Sequence, residues 1–175
     1  SAVLGNHDLN FLAVASGIRE ANPKDKTQPL LDSPICKDVI NWYRRCSLAK
    51  DLPEHNALVV HAGVWPEFDR ITLLKEIQLV HQRLLADDWS ESVRLMYGNE
   101  PAHFDKAKTD DEKARFLINA CTRMRFVDQK SLTREFNFKA VPERAPQNLC
   151  AWMNAPNRLN IDRQILFGHW ASLNG

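Results

Sequence analysis

An α/β fold is predicted by three short apolar runs, each ending in a histidine with a glycine beside it, and by the helix-like stretches that separate them. The runs are Ala2-Val3-Leu4 before Gly5-Asn6-His7-Asp8, Leu58-Val59-Val60 before His61-Ala62-Gly63, and Ile165-Leu166-Phe167 before Gly168-His169. Ligands of open α/β sheets bind at the carboxyl ends of strands. A helix that starts there adds free N–H groups and a dipole that favour anions. The 175 residues, 44% hydrophobic and 26% charged, fit one domain able to bury its own core. A net charge of +1 gives no general attraction to nucleic acid or membranes, so a basic site must be local. No apolar run approaches the ~20 residues of a membrane span, and the amino terminus lacks a signal-peptide pattern. The four cysteines, Cys36, Cys46, Cys121 and Cys150, have no C-x-x-C spacing. They read as reduced thiols without disulfide partners in a cytoplasmic protein.

In chain order, Leu9 to Ser16 reads as a helix capped by Asp8 and stopped at Gly17. Ala21 to Asp32, with Pro23 and Pro29, is a polar connection. Ser33-Pro34 opens a second helix running to about Cys46, with Val39, Ile40, Tyr43 and Trp42 as its core side. Leu48–Leu52 and Asn56–Val60 form a hairpin around Pro53-Glu54-His55, the second run apolar enough for a central strand. Asp69 caps a helix over Ile71–Leu85, where Leu73, Leu74, Ile77, Val80 and Leu84 share one face. Ser90–Tyr97 is a shorter helix. Thr109-Asp110-Asp111-Glu112 is a capping box before a stripe of Ala114, Leu117, Ile118 and Cys121. Roughly 66–120 therefore reads as a helical insertion between sheet segments. Met124–Val127 returns to the sheet, Leu132–Phe138 alternates weakly, and Pro142–Asn160 is loop-rich. A chain that opens inside one motif strand and stops soon after His169 reads as a fragment.

The amide oxygen of Asn6 and the imidazoles of His61 and His169 make a mixed donor set. It suits manganese, cobalt, iron or zinc better than a Cys-rich structural zinc site does. One strand-end histidine is ordinarily just a satisfied polar residue; three such ends in one pattern predict a metal–phosphate site. If 123–126 is extended, Arg123 and Arg125 share one face and Met124 and Phe126 the other. Paired guanidiniums suit a polyphosphate chain. Asp8 is assigned to capping, and His55, His81 and His103 receive no role. There is no G-x-S-x-G elbow, no P-loop and no Cys–His nucleophile signal.

Gly5-Asn6-His7-Asp8, His61-Ala62-Gly63 and Gly168-His169-Trp170 resemble the later motifs of the calcineurin-like metallophosphoesterases. Val3 to Leu9, Leu12-Ala13-Val14, Asn119-Ala120-Cys121-Thr122-Arg123-Met124-Arg125-Phe126 and Phe167 to Leu173 are similar to one branch, the bacterial symmetrical bis(5′-nucleosyl)-tetraphosphatases. The resemblance covers essentially the whole chain in order. It implies a mixed β-sheet sandwich flanked by helices, here incomplete, with 1–175 a partial metallophosphoesterase domain and 66–120 a helical cap. It also implies two divalent metals, one of them held by Asn6, His61 and His169. His7 would be the general acid, Arg123 and Arg125 would bind phosphate, and diadenosine tetraphosphate would be cut to two ADP. Capped RNA is allowed as a further substrate. Trp65 is read either as a stacking surface for adenine or as core. The family's Asp-x-His and Gly-Asp-x-x-x-x-Arg-Gly motifs, which supply the second metal's ligands, are not in this sequence, so the isolated chain is expected to be inactive. A phosphoprotein phosphatase of the same superfamily and a non-catalytic nucleotide-binding module are the alternatives.

Overall fold

The computed structural model describes residues 2–173. Helix α1 spans Asn6–Ala15 with Gly5 as its N-cap. The Asp8 carboxylate accepts the Gly5 N–H at 2.8 Å. Asp8 therefore caps from the third helical position, and the helix starts at Asn6 rather than Leu9. The preceding strand is reduced to one parallel bridge, Val3 to Ser47. After a short α2 (Gln28–Leu31), α3 covers Cys36–Arg44. It begins later than Ser33-Pro34 implied, because the Ser33 hydroxyl accepts the Ile35 N–H in a preceding turn. Ile40 and Tyr43 pack on the core as expected. Trp42, 52% exposed, does not.

The expected hairpin is β1 (Ala49–Leu52) with β2 (Ala57–Val60), antiparallel through Ala49–Val60 and Leu52–Ala57. Asn56 turns the chain at φ +49, a left-handed conformation that asparagine tolerates. On the other side β2 pairs in parallel with β6 (Gln164–Leu166), so their carboxyl ends point the same way. Asp51 joins this sheet to its surroundings by accepting Arg70 at 2.8 Å and Arg163 at 3.3 Å.

The predicted 71–85 helix is two pieces, α4 (Arg70–Glu76) and α5 (Gln78–Leu85), with the Asp69 cap accepting Thr72 N–H at 2.7 Å. At the break the Gln78 side chain donates to the Leu74 carbonyl. Helix α6 (Trp89–Arg94) follows, and α7 (Asp110–Arg123) starts with the predicted Thr109–Glu112 box. The chain directly after α7 does not return to the first sheet, which it rejoins only at β6. It forms a second one, ordered β4-β3-β5, from β3 (Phe126–Asp128), β4 (Arg134–Glu135) and β5 (Leu149–Ala151). Long-range pairing decides which sheet a three-residue strand joins, and local pattern carries no trace of it.

Both sheets and the helices of 66–120 feed one core. Leu4, Leu12 and Leu58 share it with Leu73, Ile77, Leu84, Phe116 and Leu117 of the helices and with Phe126, Val127 and Trp152. This layering of helices and small sheets is the expected α/β architecture. No helix among the described residues is long and apolar enough to cross a membrane.

Candidate metal and phosphate site

The parallel pairing of β2 and β6 places their following residues at one sheet edge, and the first turn of α1 meets them there. His61 directly follows β2, and His169 lies three residues past β6. Asn6 Oδ1 stands 3.0 Å from His61 Nε2, which is 3.2 Å from His169 Nδ1. The three residues singled out from sequence thus converge. Their closeness depends on Gly5, where a Cβ would come within 2.7 Å of the His61 ring. The loop around His169 is tightly fixed. Gly168 N–H donates to the His61 carbonyl at 3.0 Å, and Trp170 N–H to the Gly168 carbonyl at 2.7 Å. That second bond encloses His169, at φ +63, in a γ-turn of the strained positive-φ kind. Such strain persists where surrounding contacts over-determine it: Arg125 Nη2 donates to the His169 carbonyl at 3.2 Å, and buried Trp170 packs on Phe126.

Burial lowers the pKa of His61, an effect opposed in part by the Asp8 carboxylate and added to by His7. His169 is pushed down to about 4, by burial first and then by Arg125 and the two other histidines. Both imidazoles are therefore neutral at pH 7, the form that offers a nitrogen lone pair to a metal. His169 Nε2 is buried and has no hydrogen-bond partner among the described residues. An amide oxygen and two neutral imidazoles, one of them with an orphaned ring nitrogen, fit a divalent transition metal. Among the described residues no group of three or more His, Cys, Asp or Glu is placed to hold an ion, and the Asn6, His61 and His169 set itself contains no carboxylate.

Arg123 and Arg125 are brought to the same place by a backbone other than the one expected. Arg123 ends α7, Met124 is its extended C-cap, and Arg125 precedes β3. The alternation nevertheless holds, because Met124 and Phe126 are buried. Both guanidiniums line a cavity of about 230 Å3 together with Asn6, Phe136, Lys139 and His169. Burial lowers the pKa of each, and in Arg123 the Arg125 charge adds to this. Arg123 stacks on Phe136 at 4.6 Å and donates to Asn119 Oδ1 at 2.7 Å. His7 is exposed and, with Asn6 and Arg123, borders a second cavity of about 400 Å3.

Sequence reasoning missed Lys139, Asn119 and Tyr97. Lys139 has no motif around it, Asn119 lies inside a stretch that carries the family resemblance, and Tyr97 ends a predicted helix. Trp65 is fully buried against Phe116 and His103 and donates to Glu67, so it is core. The four cysteines are free, and burial raises the Cys121 thiol to about 12, which leaves it inert.

No protein-family model matches the chain. It is 38% identical over 172 residues to proteins of Burkholderia mallei (strain SAVP1) and Burkholderia pseudomallei (strain 668), each named "Bis(5'-nucleosyl)-tetraphosphatase, symmetrical". The match takes in 98% of this chain and 60% of each relative's length.

Proposed function

We propose that this chain, 38% identical to proteins named as symmetrical bis(5′-nucleosyl)-tetraphosphatases, is part of a member of that family and carries part of a metal-dependent site that hydrolyses diadenosine tetraphosphate to two ADP. The observation that carries this reading is the meeting of Asn6 Oδ1, His61 Nε2 and His169 Nδ1 within 3.0 and 3.2 Å beside two arginines. Asn6, His61 and His169 are the residues that would hold a divalent ion, manganese or cobalt first and iron or zinc next. A two-metal centre supplies a water of lowered pKa and charge stabilisation for attacking and leaving oxygens.

The chain's own side chains do the rest. Arg123, Arg125 and Lys139 offer three cations to a polyphosphate, Arg123 held in direction by Asn119. Fork-shaped guanidiniums match phosphate oxygens two at a time. His7 stands exposed at the first turn of α1, next to Asn6 and in reach of a substrate entering the larger cavity. A proton on its ring is the one to pass to the leaving phosphate oxygen. The 66–120 region acts as a cap on this reading, supported by Met96–Asn99, which wall that cavity.

The test is the complete protein with manganese or cobalt and diadenosine tetraphosphate. ADP as the only nucleotide product supports the proposal; AMP with ATP, or no turnover, overturns it. Phosphate release from phosphopeptides would move the assignment to the phosphoprotein phosphatases.

A further inference from the structure

On the reading that the site handles a nucleoside polyphosphate, we propose that the larger cavity receives one nucleoside, its base lying against Tyr97, while the phosphates run into the smaller cavity. The two cavities share Asn6 and Arg123 as a common wall, so one ligand can occupy both.

Charge divides their roles. The smaller cavity is lined by Arg123, Arg125 and Lys139 and by no carboxylate. The larger one sets Asp25 beside Arg19 and Arg123, and that carboxylate would accept from an amino group or a ribose hydroxyl. Arg19 is engaged there by Asn10 at 2.7 Å, and Asn10 in turn donates to Asp25 Oδ2 at 3.1 Å. That chain leaves Asp25 Oδ1 outside its bonds and presents donors and acceptors along one edge. Tyr97, 38% exposed, with Met96 and Ile118, supplies the apolar part of the lining. A volume of about 400 Å3 is that of a small-molecule pocket, here with a mainly polar lining in which Tyr97 is the one phenol ring among the described residues.

The Tyr97 platform is also preformed. Asn119, fully buried on α7, donates to the Gly98 carbonyl at 2.9 Å. Arg115 donates to the Leu95 carbonyl at 2.9 Å and the Glu100 carbonyl at 3.1 Å. The segment is thus pinned on both sides of the tyrosine, which lowers the ordering cost of binding. The same Asn119 orients Arg123 through its other side-chain atom. One buried amide therefore sets the distance between base wall and phosphate cation, as a positioning residue.

Two probes separate the halves: adenosine for the nucleoside cavity and inorganic tripolyphosphate for the basic one, each titrated calorimetrically into the chain. Base–aromatic stacking removed by alanine corresponds to a loss of about tenfold. Tyr97→Ala is expected to weaken adenosine about tenfold and leave tripolyphosphate unchanged, with Tyr97→Phe restoring adenosine because it keeps the ring. Absence of adenosine binding, equal adenosine affinity in Tyr97→Ala, or the same loss for both probes overturns the assignment. Tripolyphosphate failing to bind while adenosine still depends on Tyr97 sinks the phosphoester reading instead and leaves the nucleoside cavity standing.

Discussion

The His61 imidazole lies against the bare backbone of Gly5, where an added Cβ would be 2.7 Å from both Cε1 and Nδ1 of the ring. The Gly5 backbone, at φ −104 and ψ 173, suits any residue, so the demand for glycine here is steric. Gly5→Ala is expected to fold while pushing His61 away from Asn6 and His169. Disturbing the supports of a metal ligand typically weakens affinity by 10–100-fold. Manganese titration of the variant should show a loss of about that order; unchanged affinity would mean that His61 does not contribute as placed.

Asn119 connects two parts of the site through one amide, and its removal should be felt in both. Asn119→Ala frees Arg123 and leaves the Gly98 carbonyl to solvent. Each lost hydrogen bond is worth about 0.5–1.5 kcal/mol. The variant should therefore unfold about 1–3 kcal/mol more easily in urea. It should also bind tripolyphosphate several-fold more weakly than the parent. Stability loss with full tripolyphosphate affinity would remove Asn119 from the positioning of Arg123.

Much of this site was legible because its chemistry is written at strand ends. Three apolar runs closing in His and Gly announced where β2, β6 and the bridge at Val3 would stop, and the residues beyond them do meet. Glycine beside histidine also marked real close approaches, at Gly5 and Gly63. What stayed hidden depends on contacts far apart in sequence. Arg134 looks like a surface residue of a weak strand, yet it is 5% exposed, stacked 4.2 Å over Phe116 and bonded to the carbonyls of Asn99 and Pro101. Burial pushes its guanidinium down to about 9. The separate second sheet and the place of Lys139 follow from the same long-range pairing, which local periodicity does not encode.

Asp128 gives a pH dependence with a definite sign. At the end of β3 its carboxylate accepts Lys130 N–H, Ser131 N–H, the Ser131 hydroxyl and the Asn148 amide, all at 2.9–3.0 Å. These bonds, led by Ser131 N–H, lower its pKa from 3.8 to about 2. The folded state therefore favours the ionised form, and this stabilisation is complete above about pH 4 and fades as pH falls toward 2. Asp128→Ala should be less stable than the parent at pH 7, with the gap closing as both are unfolded nearer pH 2. A gap that persists undiminished at low pH would contradict the assignment.

Gly63 tests whether the second motif's glycine is a packing requirement. A Cβ there would come 2.8 Å from Trp152 Nε1, 2.9 Å from Trp152 Cδ1 and 3.0 Å from Met124 Cε. The Met124 methyl is the end of a flexible chain and can retreat. Trp152, fully buried and set edge-on against Phe167, has nowhere to go. Overpacking of this kind costs about 1–3 kcal/mol, so Gly63→Ala should lower the unfolding free energy by that amount. Trp152→Phe removes the Nε1 atom, which is itself buried without a partner among the described residues, and opens space at the point of contact. In that background the cost of Gly63→Ala should shrink, giving a coupling of 0.5 kcal/mol or more in a double-mutant cycle, about the least expected of residues in contact. Strict additivity of the two substitutions would show that the glycine is there for some reason other than Trp152.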